Sequence, residues 1–364
     1  MLKTHNQETA KATSRISAQE LTRATCEMLM AVGLSQEHAD CVAGALVYAE
    51  LRGQGSHGVS RLLDIYVRRL LLRATNPQPR ITIAAEHEGV AVVDGDNGPG
   101  PVVGSYCMNL AISKAEVYGI GAVAARNSNH YGAAAYYLQT AVDAGMLAMT
   151  TTNAPPNMPP WGGREPFLGT NPLAFGAPAG RHDPILLDMA TSVVAKGKIQ
   201  LMEKEGYTSI PEGWALDDQG RPTTSLVGAL SGMMVPIGGH KGYGLTVIVE
   251  ILSALLSGAD YGPHLGSMYM DLDRGQNVGH FFLALSLHAL GSKQQVLDRM
   301  DALIDEIKAT PRQERVEEIL LPGEIEFRVQ KICLSEGIPV ESAVYQELCL
   351  LAQSLDVKPP EAMD

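Results

Sequence analysis

The middle of the chain alternates between two kinds of apolar pattern, and this alternation constrains the fold more than any other feature of the sequence. Short apolar runs between turn residues favour strands, whereas apolar residues three and four positions apart favour helices. The strand-like runs lie at 81–83, 90–93, 121–125, 147–152 and 185–187, and the helix-like segments lie at 102–117 and 131–144. Such alternation is typical of helices packed on a sheet, so a mixed α/β domain is expected.

The N-terminal part of the chain has helical patterning. Ser17 and Glu20 form a capping-box pattern that opens a helix over 17–32, and Ser35 begins a second helix. Later segments continue the prediction with helices at 62–70, 243–257, 292–309 and 340–354 and a strand at 280–287. The stretch 153–180 is dense in Pro and Gly but carries aromatic residues for packing, which indicates rigid irregular structure rather than a flexible linker.

Composition narrows the class of protein. A chain of 364 residues with 45% hydrophobic residues can bury a large core, and a net charge of -12 argues against nucleic-acid binding. The five cysteines form no C-x-x-C pair, so no disulfide framework and no metal site is expected. The polar stretch 1–15 resembles no signal peptide, and the apolar run 244–258 is too short to cross a bilayer. We therefore expect a cytoplasmic enzyme without a membrane partner.

The segment S-H-G-V-S-R at 56–61 carries groups suited to proton transfer beside a carboxylate. His57 can act as a general acid near neutral pH, and Ser56 can orient it by hydrogen bonding. Arg61 lies one turn further along a predicted helix, and its guanidinium can bind a carboxylate through two hydrogen bonds. The segment alone also fits a helix cap followed by a surface arginine.

Two glycine-rich turns are candidates for phosphate binding. The turn at 98–104 has the wrong glycine spacing for a dinucleotide fingerprint and contains two prolines, so we interpret it as a tight strand-to-helix turn. The stretch 238–244 places His240 and Lys241 just before a helix, where backbone amides favour phosphate. The alternative for this second stretch is a plain junction between a loop and a helix.

Two further clusters follow predicted strands. His130 and Tyr131 come after the strand at 121–125, at the end of a strand where α/β sheets usually present ligands. Asp188 follows the apolar run 185–187, and Lys198 lies close behind it. An acid can bind ribose hydroxyls and a lysine can meet phosphate, although both clusters also fit capped turns with solvated side chains.

Together these segments resemble the malate/L-lactate dehydrogenase family of NAD(P)-dependent oxidoreductases, which is unrelated to the Rossmann lactate and malate enzymes. The resemblance runs from about Ser17 to Leu355. The segments that carry it are S-H-G with Arg61 at 56–61, N-S-N-H-Y-G at 127–132, L-G-T-N-P-L-A at 168–174, L-D-M-A-T-S at 187–192, G-H-K-G-Y-G at 239–244 and L-P-G-E at 321–324.

The resemblance implies roles for these residues. His57 is expected to give and take the proton with Ser56 as its partner, and Arg61, His130 and Tyr131 are expected to contact the substrate. The residues expected to contact the cofactor are Asn171, Asp188, Met189, Ala190, Thr191, Ser192, Lys198, His240, Lys241, Gly242, Gly323 and Glu324. The implied reaction is hydride transfer between a nicotinamide cofactor and carbon 2 of a 2-hydroxy or 2-oxo acid.

The fold class expected with this resemblance is a mixed α/β, non-Rossmann cofactor domain plus a helical domain. The helical domain is expected to combine 14–80 with 310–356, and the mixed domain, which binds cofactor and substrate, to span 81–309. The resemblance also implies a homodimer with its active site near the subunit interface.

Substrate and cofactor identity stay open at this point. A simple 2-hydroxy acid ranks first, ureidoglycolate second and a cyclic imino acid third, and a catalytically silent nucleotide-binding paralogue is the alternative of a different class. Either NAD or NADP is possible. NAD is preferred because a carboxylate at Asp188, if it lies beside the adenosine ribose, would repel a 2′-phosphate.

Overall fold

The computed structural model describes residues 13–363 and divides them into two compact units. One unit contains the described residues up to Leu71 and those from Ile325 on, and the other spans Leu72–Glu324. Of the polar stretch 1–15, residues 1–12 lie outside the described residues. The predicted domains, 14–80 with 310–356 and 81–309, stay a prediction, because a compact unit need not fold by itself.

Strands and helices are numbered in chain order. The strands are β1 (Thr13–Ile16), β2 (Thr82–His87), β3 (Val90–Asp94), β4 (Ile120–Ser128), β5 (Met146–Thr152), β6 (Leu173–Ala177), β7 (Ile185–Met189), β8 (Ala215–Leu216), β9 (Pro222–Thr223), β10 (Met233–Met234), β11 (Val278–Ser286) and β12 (Ile338–Glu341). The α-helices are α1 (Ala18–Ala31), α2 (Gln36–Leu51), α3 (Arg68–Leu71), α4 (Gly100–Tyr118), α5 (Ala135–Asp143), α6 (Lys196–Lys204), α7 (Leu226–Ser231), α8 (His240–Glu250), α9 (Lys293–Ala309), α10 (Glu324–Glu336) and α11 (Ser342–Ser354).

The first unit is mainly helical, and its two leading helices begin where the sequence predicts. The Ser17 hydroxyl accepts a hydrogen bond from the Glu20 N–H at 3.2 Å, and Ser35 caps α2 in the same way. The third predicted helix, 62–70, is instead a π-helical turn at Leu62–Val67 that continues into the short α3. Strands β1 and β12 pair antiparallel, which joins the two ends of the chain in one unit.

The second unit is built on a seven-stranded mixed sheet in the order β2-β3-β4-β11-β5-β6-β7. Among its neighbouring pairs only β3 and β4 run parallel, and the other pairs are antiparallel. A Rossmann domain has a mostly parallel sheet. The expected mixed, non-Rossmann fold is therefore confirmed.

Helix α4 packs against β4 and β11, and α5 packs against β5 and β6. Helix α4 starts at Gly100, so the turn at 98–104 is the strand-to-helix turn that was predicted. The helix predicted over 131–144 begins only at Ala135. The reason is tertiary, because the Asn129 side chain donates hydrogen bonds to the carbonyls of Asn97 and Gly98 and holds the preceding residues in a loop.

The Pro- and Gly-rich stretch 153–180 contains β6 and an isolated bridge between Met158 and Leu168. The apolar helix predicted at 243–257 starts earlier, as α8, and ends in a π-helical turn at Ile251–Leu255. Within residues 13–363, no helix is both long and apolar enough to cross a membrane.

Candidate active site

The residues predicted to transfer the proton lie on two consecutive 3-10 turns, Gly55–His57 and Val59–Arg61, rather than at the start of an α-helix. The Ser56 Oγ lies 3.2 Å from the His57 Nδ1, as the proposed partnership requires. The Arg61 Nε donates to the Ser56 carbonyl at 2.7 Å. The hydroxyl, the imidazole and the guanidinium are therefore brought together by the fold of this turn.

The surroundings of His57 favour its neutral form. Surrounding protein atoms partly remove water from the imidazole, and the neighbouring Arg61 guanidinium adds a like charge, so both effects lower the pKa of His57 from its ordinary value. Part of the residue nevertheless stays exposed to solvent in the chain. An accessible, neutral imidazole can accept a proton from a hydroxyl group.

In the second unit, three of the predicted cofactor segments meet around Thr191. The Thr191 N–H donates to the Thr170 carbonyl at 2.9 Å, and the Thr191 carbonyl accepts from the Ile237 N–H at 2.9 Å. The Thr246 hydroxyl of α8 donates to the Thr191 hydroxyl, also at 2.9 Å. The segments at 168–174, 187–192 and 239–244 are thus parts of one structure.

The L-P-G-E segment lies against strand β7 of the same unit. The Leu186 N–H donates to the Pro322 carbonyl at 3.1 Å. Gly323 has a φ of +92°, and a Cβ there would lie 2.9 Å from the Leu186 carbonyl oxygen, so this contact requires glycine. The Glu324 carboxylate forms an ion pair with Lys308 at 2.7 Å, which occupies the side chain of one predicted cofactor residue.

The first turn of α8 presents backbone amides without a side-chain cap. Its N-cap is Gly239, which has a positive φ, and His240 and Lys241 are exposed. Gly242 is buried, and a Cβ there would lie 1.8 Å from the Ile237 carbonyl oxygen, so the turn can close only on a glycine. Uncapped amides beside two potential cations form a favourable environment for phosphate.

Asp188 lies at the end of β7 and points to helix α5. Its carboxylate accepts a hydrogen bond from the Ala135 N–H at 2.9 Å, so it serves as a cap for the first turn of that helix. Met189 and Ala190 are half-buried beside it. Lys198 is exposed, and its ammonium lies 5.2 Å from the centre of the Trp214 ring.

Several predicted contact residues are buried inside the second unit. Asn171 and Thr191 are both 0% exposed. The Asn171 side chain bonds to the Ala154 N–H and the Glu250 carboxylate, and the Ser192 hydroxyl donates to the Val194 carbonyl. Because these side-chain groups are already bonded within the protein, their geometry favours positioning of the segment over direct contact with a cofactor.

The predicted substrate residues differ from each other. Tyr131 is 2% exposed, and its ring stacks on His280 with 4.6 Å between ring centres. Burial and the nearby Asp188 carboxylate raise the pKa of Tyr131. Its substrate contact stays a prediction. His130 is half-buried, and its backbone N–H donates to the Gln276 side-chain oxygen at 3.3 Å.

Sequence reasoning missed three polar residues that organise these segments. Glu50 accepts from the Val59 N–H at 2.9 Å, two residues after His57 in the chain. The buried Glu250 bonds to Asn171 and to the Gly262 N–H, and the buried His280 bonds to Ser128 and Thr152. An acidic residue inside an apolar helix was the signal for Glu250, whereas His280 lies in an ordinary-looking strand.

Comparison with known proteins places this arrangement in a family. The model of the malate/L-lactate dehydrogenase family matches residues 16–349. This chain belongs to the malate/L-lactate dehydrogenase family. It is 41% identical over 352 residues to a malate dehydrogenase of Pyrococcus abyssi, with 94% of this chain and 96% of the relative covered.

Two other members of the malate/L-lactate dehydrogenase family illustrate its range. A ureidoglycolate dehydrogenase of Escherichia coli K12 is 33% identical over 351 residues, covering 96% of this chain and 99% of the relative. The solved sulfolactate dehydrogenase of Methanocaldococcus jannaschii has a TM-score of 0.90 at 37% identity, covering 96% of this chain and 100% of that one. Membership makes the present chain an oxidoreductase of the hydroxy acid dehydrogenase class.

Proposed function

We propose that this enzyme interconverts a 2-hydroxy acid and a 2-oxo acid, of the malate or lactate type, with His57 as the general acid and base. The observation that carries the proposal is the turn that joins Ser56, His57 and Arg61. In this turn the imidazole is oriented by a hydroxyl 3.2 Å away and lies beside a guanidinium suited to a carboxylate.

The described residues of the second unit fit a nicotinamide dinucleotide. The uncapped amides at the start of α8, with His240 and Lys241, suit the charge of a pyrophosphate. The missing Cβ atoms at Gly242 and Gly323 allow close approach of neighbouring backbone segments at the site. When bound, the cofactor would supply the hydride acceptor or donor.

The protein's own contribution is proton transfer and orientation. In the oxidative direction the neutral His57 takes the proton of the substrate hydroxyl, and its lowered pKa keeps it in the required form near neutral pH. Arg61 holds the substrate carboxylate through charge-assisted hydrogen bonds. In the reductive direction the imidazolium returns the proton to the nascent alkoxide oxygen.

We further propose NAD as the preferred cofactor and a cytoplasmic homodimer as the working form. The preference for NAD rests on a position of Asp188 beside the adenosine ribose, where its negative charge would repel a 2′-phosphate. The family's substrates are small carboxylates, which supports a small-molecule partner and no nucleic-acid or membrane partner. Ureidoglycolate is the second candidate substrate, supported by the similarity to the Escherichia coli enzyme.

The first experiment follows NADH and NADPH oxidation with a panel of 2-oxo acids and a cyclic imino acid. Oxidation of malate, lactate, sulfolactate and ureidoglycolate is measured in reverse. The variant His57→Ala is expected to lower kcat by about 10²- to 10⁴-fold, because a positioned acid or base contributes that much.

The exposed His87 on β2 provides the matched control, and His87→Ala is expected to keep wild-type turnover. Full activity in His57→Ala would refute the role of the imidazole. Cofactor binding without turnover on any member of the panel would instead favour the catalytically silent paralogue.

A further inference from the structure

Glu50 lies in the last turn of α2, and its carboxylate contacts the backbone on both sides of His57. The Oε1 atom accepts from the Val59 N–H at 2.9 Å. An ideal Cβ at Gly58 would lie 2.1 Å from Oε1, and one at Gly55 would lie 3.2 Å from Oε2. The carboxylate therefore fills the space that the two glycines flanking Ser56 and His57 leave open.

The electrostatic surroundings of Glu50 are unusual for a residue with a packing role alone. Burial, together with the nearby Glu341 carboxylate, raises the pKa of Glu50 to about 7, and the hydrogen bond from Val59 opposes this rise. Cys333 on α10 is a further titratable group near the carboxylate, and Glu50 helps to raise its pKa. His57 and Arg61 lie on the turn itself.

A neutral amide would satisfy the Val59 N–H without any cost of burying a charge. A carboxylate forms a stronger hydrogen bond than an amide when it is ionised, and it weakens this bond when it gains a proton. The strength of the hydrogen bond between Glu50 and the Val59 N–H therefore depends on the ionisation of Glu50.

We propose that Glu50 is a positioning residue for proton transfer: its carboxylate holds the Gly58–Val59 backbone, and through it the His57 imidazole, in the orientation that the reaction needs. This inference rests on the proposed function for the role of His57, but the contact between Glu50 and the turn does not. Its test therefore needs one readout of activity and one that is independent of activity.

The activity test uses Glu50→Gln, which keeps the size and an acceptor oxygen but removes the charge. In the oxidative direction the wild type needs both Glu50 ionised and His57 neutral, so log kcat should fall with a slope approaching two on the acid side. Glu50→Gln should reduce this slope to one and lower kcat about tenfold or more, because small misplacements of a catalytic group are costly. The KM for the cofactor should stay within about twofold.

The exposed Glu37 on the same helix provides the control, and Glu37→Gln should keep both the slope and kcat.

The second readout is the NMR signal of the His57 Cε1–H in histidine-labelled protein, assigned by its loss in His57→Gln. In the wild type this signal should show an inflection near the pKa of Glu50 in addition to that of His57. In Glu50→Gln the extra inflection should disappear.

An unchanged NMR titration and an unchanged kcat slope in Glu50→Gln would overturn the proposal. A lost inflection in a protein that turns over none of the acids would support the contact while refuting the proposed function.

If Glu50→Gln does not fold, Gly58→Ala provides the second test, because its new methyl group must displace the carboxylate. The double variant Glu50→Ala/Gly58→Ala should then lose no more kcat than Gly58→Ala alone, because both changes remove the same contact, and additive losses would count against the proposal.

Discussion

At the scale of single residues, two histidines show how surroundings decide a role. His57 is partly exposed on a turn, whereas His280 is 0% exposed in the centre of the sheet. The Nδ1 of His280 lies 2.8 Å from the Thr152 hydroxyl. Its Nε2 lies 2.8 Å from the Ser128 hydroxyl. This neutral ring connects β4, β11 and β5.

The buried His280 is expected to make the protein less stable at acid pH. Burial lowers the pKa of His280 to about 3, so the unfolded chain takes up a proton below about pH 6.5 that the folded chain refuses. The contribution of His280 to stability is therefore present above the unfolded pKa and is lost as pH falls through this window, by up to about 1.4 kcal/mol per pH unit. Urea unfolding at several pH values measures the slope.

The comparison uses His280→Gln, which keeps hydrogen-bonding groups but cannot titrate. Its free energy of unfolding should fall less steeply between about pH 6 and about pH 4 than that of the wild type. The exposed His87→Gln should retain the wild-type slope. Equal slopes in all three proteins would mean that His280 takes up its proton equally well in the folded state.

At the scale of elements, α8 contains two glycines with opposite surroundings. A Cβ at Gly242 would lie 1.8 Å from the Ile237 carbonyl oxygen, whereas a Cβ at Gly244 would meet nothing within 4 Å. The first glycine lets the preceding loop close against the helix. No neighbouring atom requires a glycine at Gly244, so a side chain there would fit without any clash.

The two glycines therefore predict opposite effects of the same substitution. Gly242→Ala should destabilise the protein by about 1–3 kcal/mol, because the backbone must move to admit the methyl group. Gly244→Ala should stabilise it by about 0.5–1 kcal/mol, because alanine loses less conformational freedom in a helix. Thermal and urea unfolding of both variants check this, and a stable Gly242→Ala would contradict the tight closure of the loop.

At the scale of the whole molecule, the working form is proposed to be a homodimer with its active site near the subunit interface. Light scattering should then give a mass of twice the 38.9 kDa of the chain. On dilution, specific activity should fall in parallel with the fraction of dimer, because an isolated subunit would lack part of its site. A fully active monomer would refute the proposed arrangement.

Much of the secondary structure follows from local sequence. The caps at Ser17 and Ser35, the strands β3 to β5 and β11, and helices α4 and α9 correspond to their patterns, because capping and apolar periodicity are local properties. The family was also evident, because its six motifs are short and ordered along the chain.

Tertiary structure decided what local patterns do not encode. The late start of α5 depends on Asn129 reaching back to Asn97 and Gly98, and the order of the sheet places β11 between β4 and β5 although they are far apart in sequence. The motifs revealed which segments matter, but not that Asn171 and Tyr131 are buried or that Glu50 supports the turn of His57. Burial and hydrogen bonding depend on residues distant in the chain, so only the folded structure determines them.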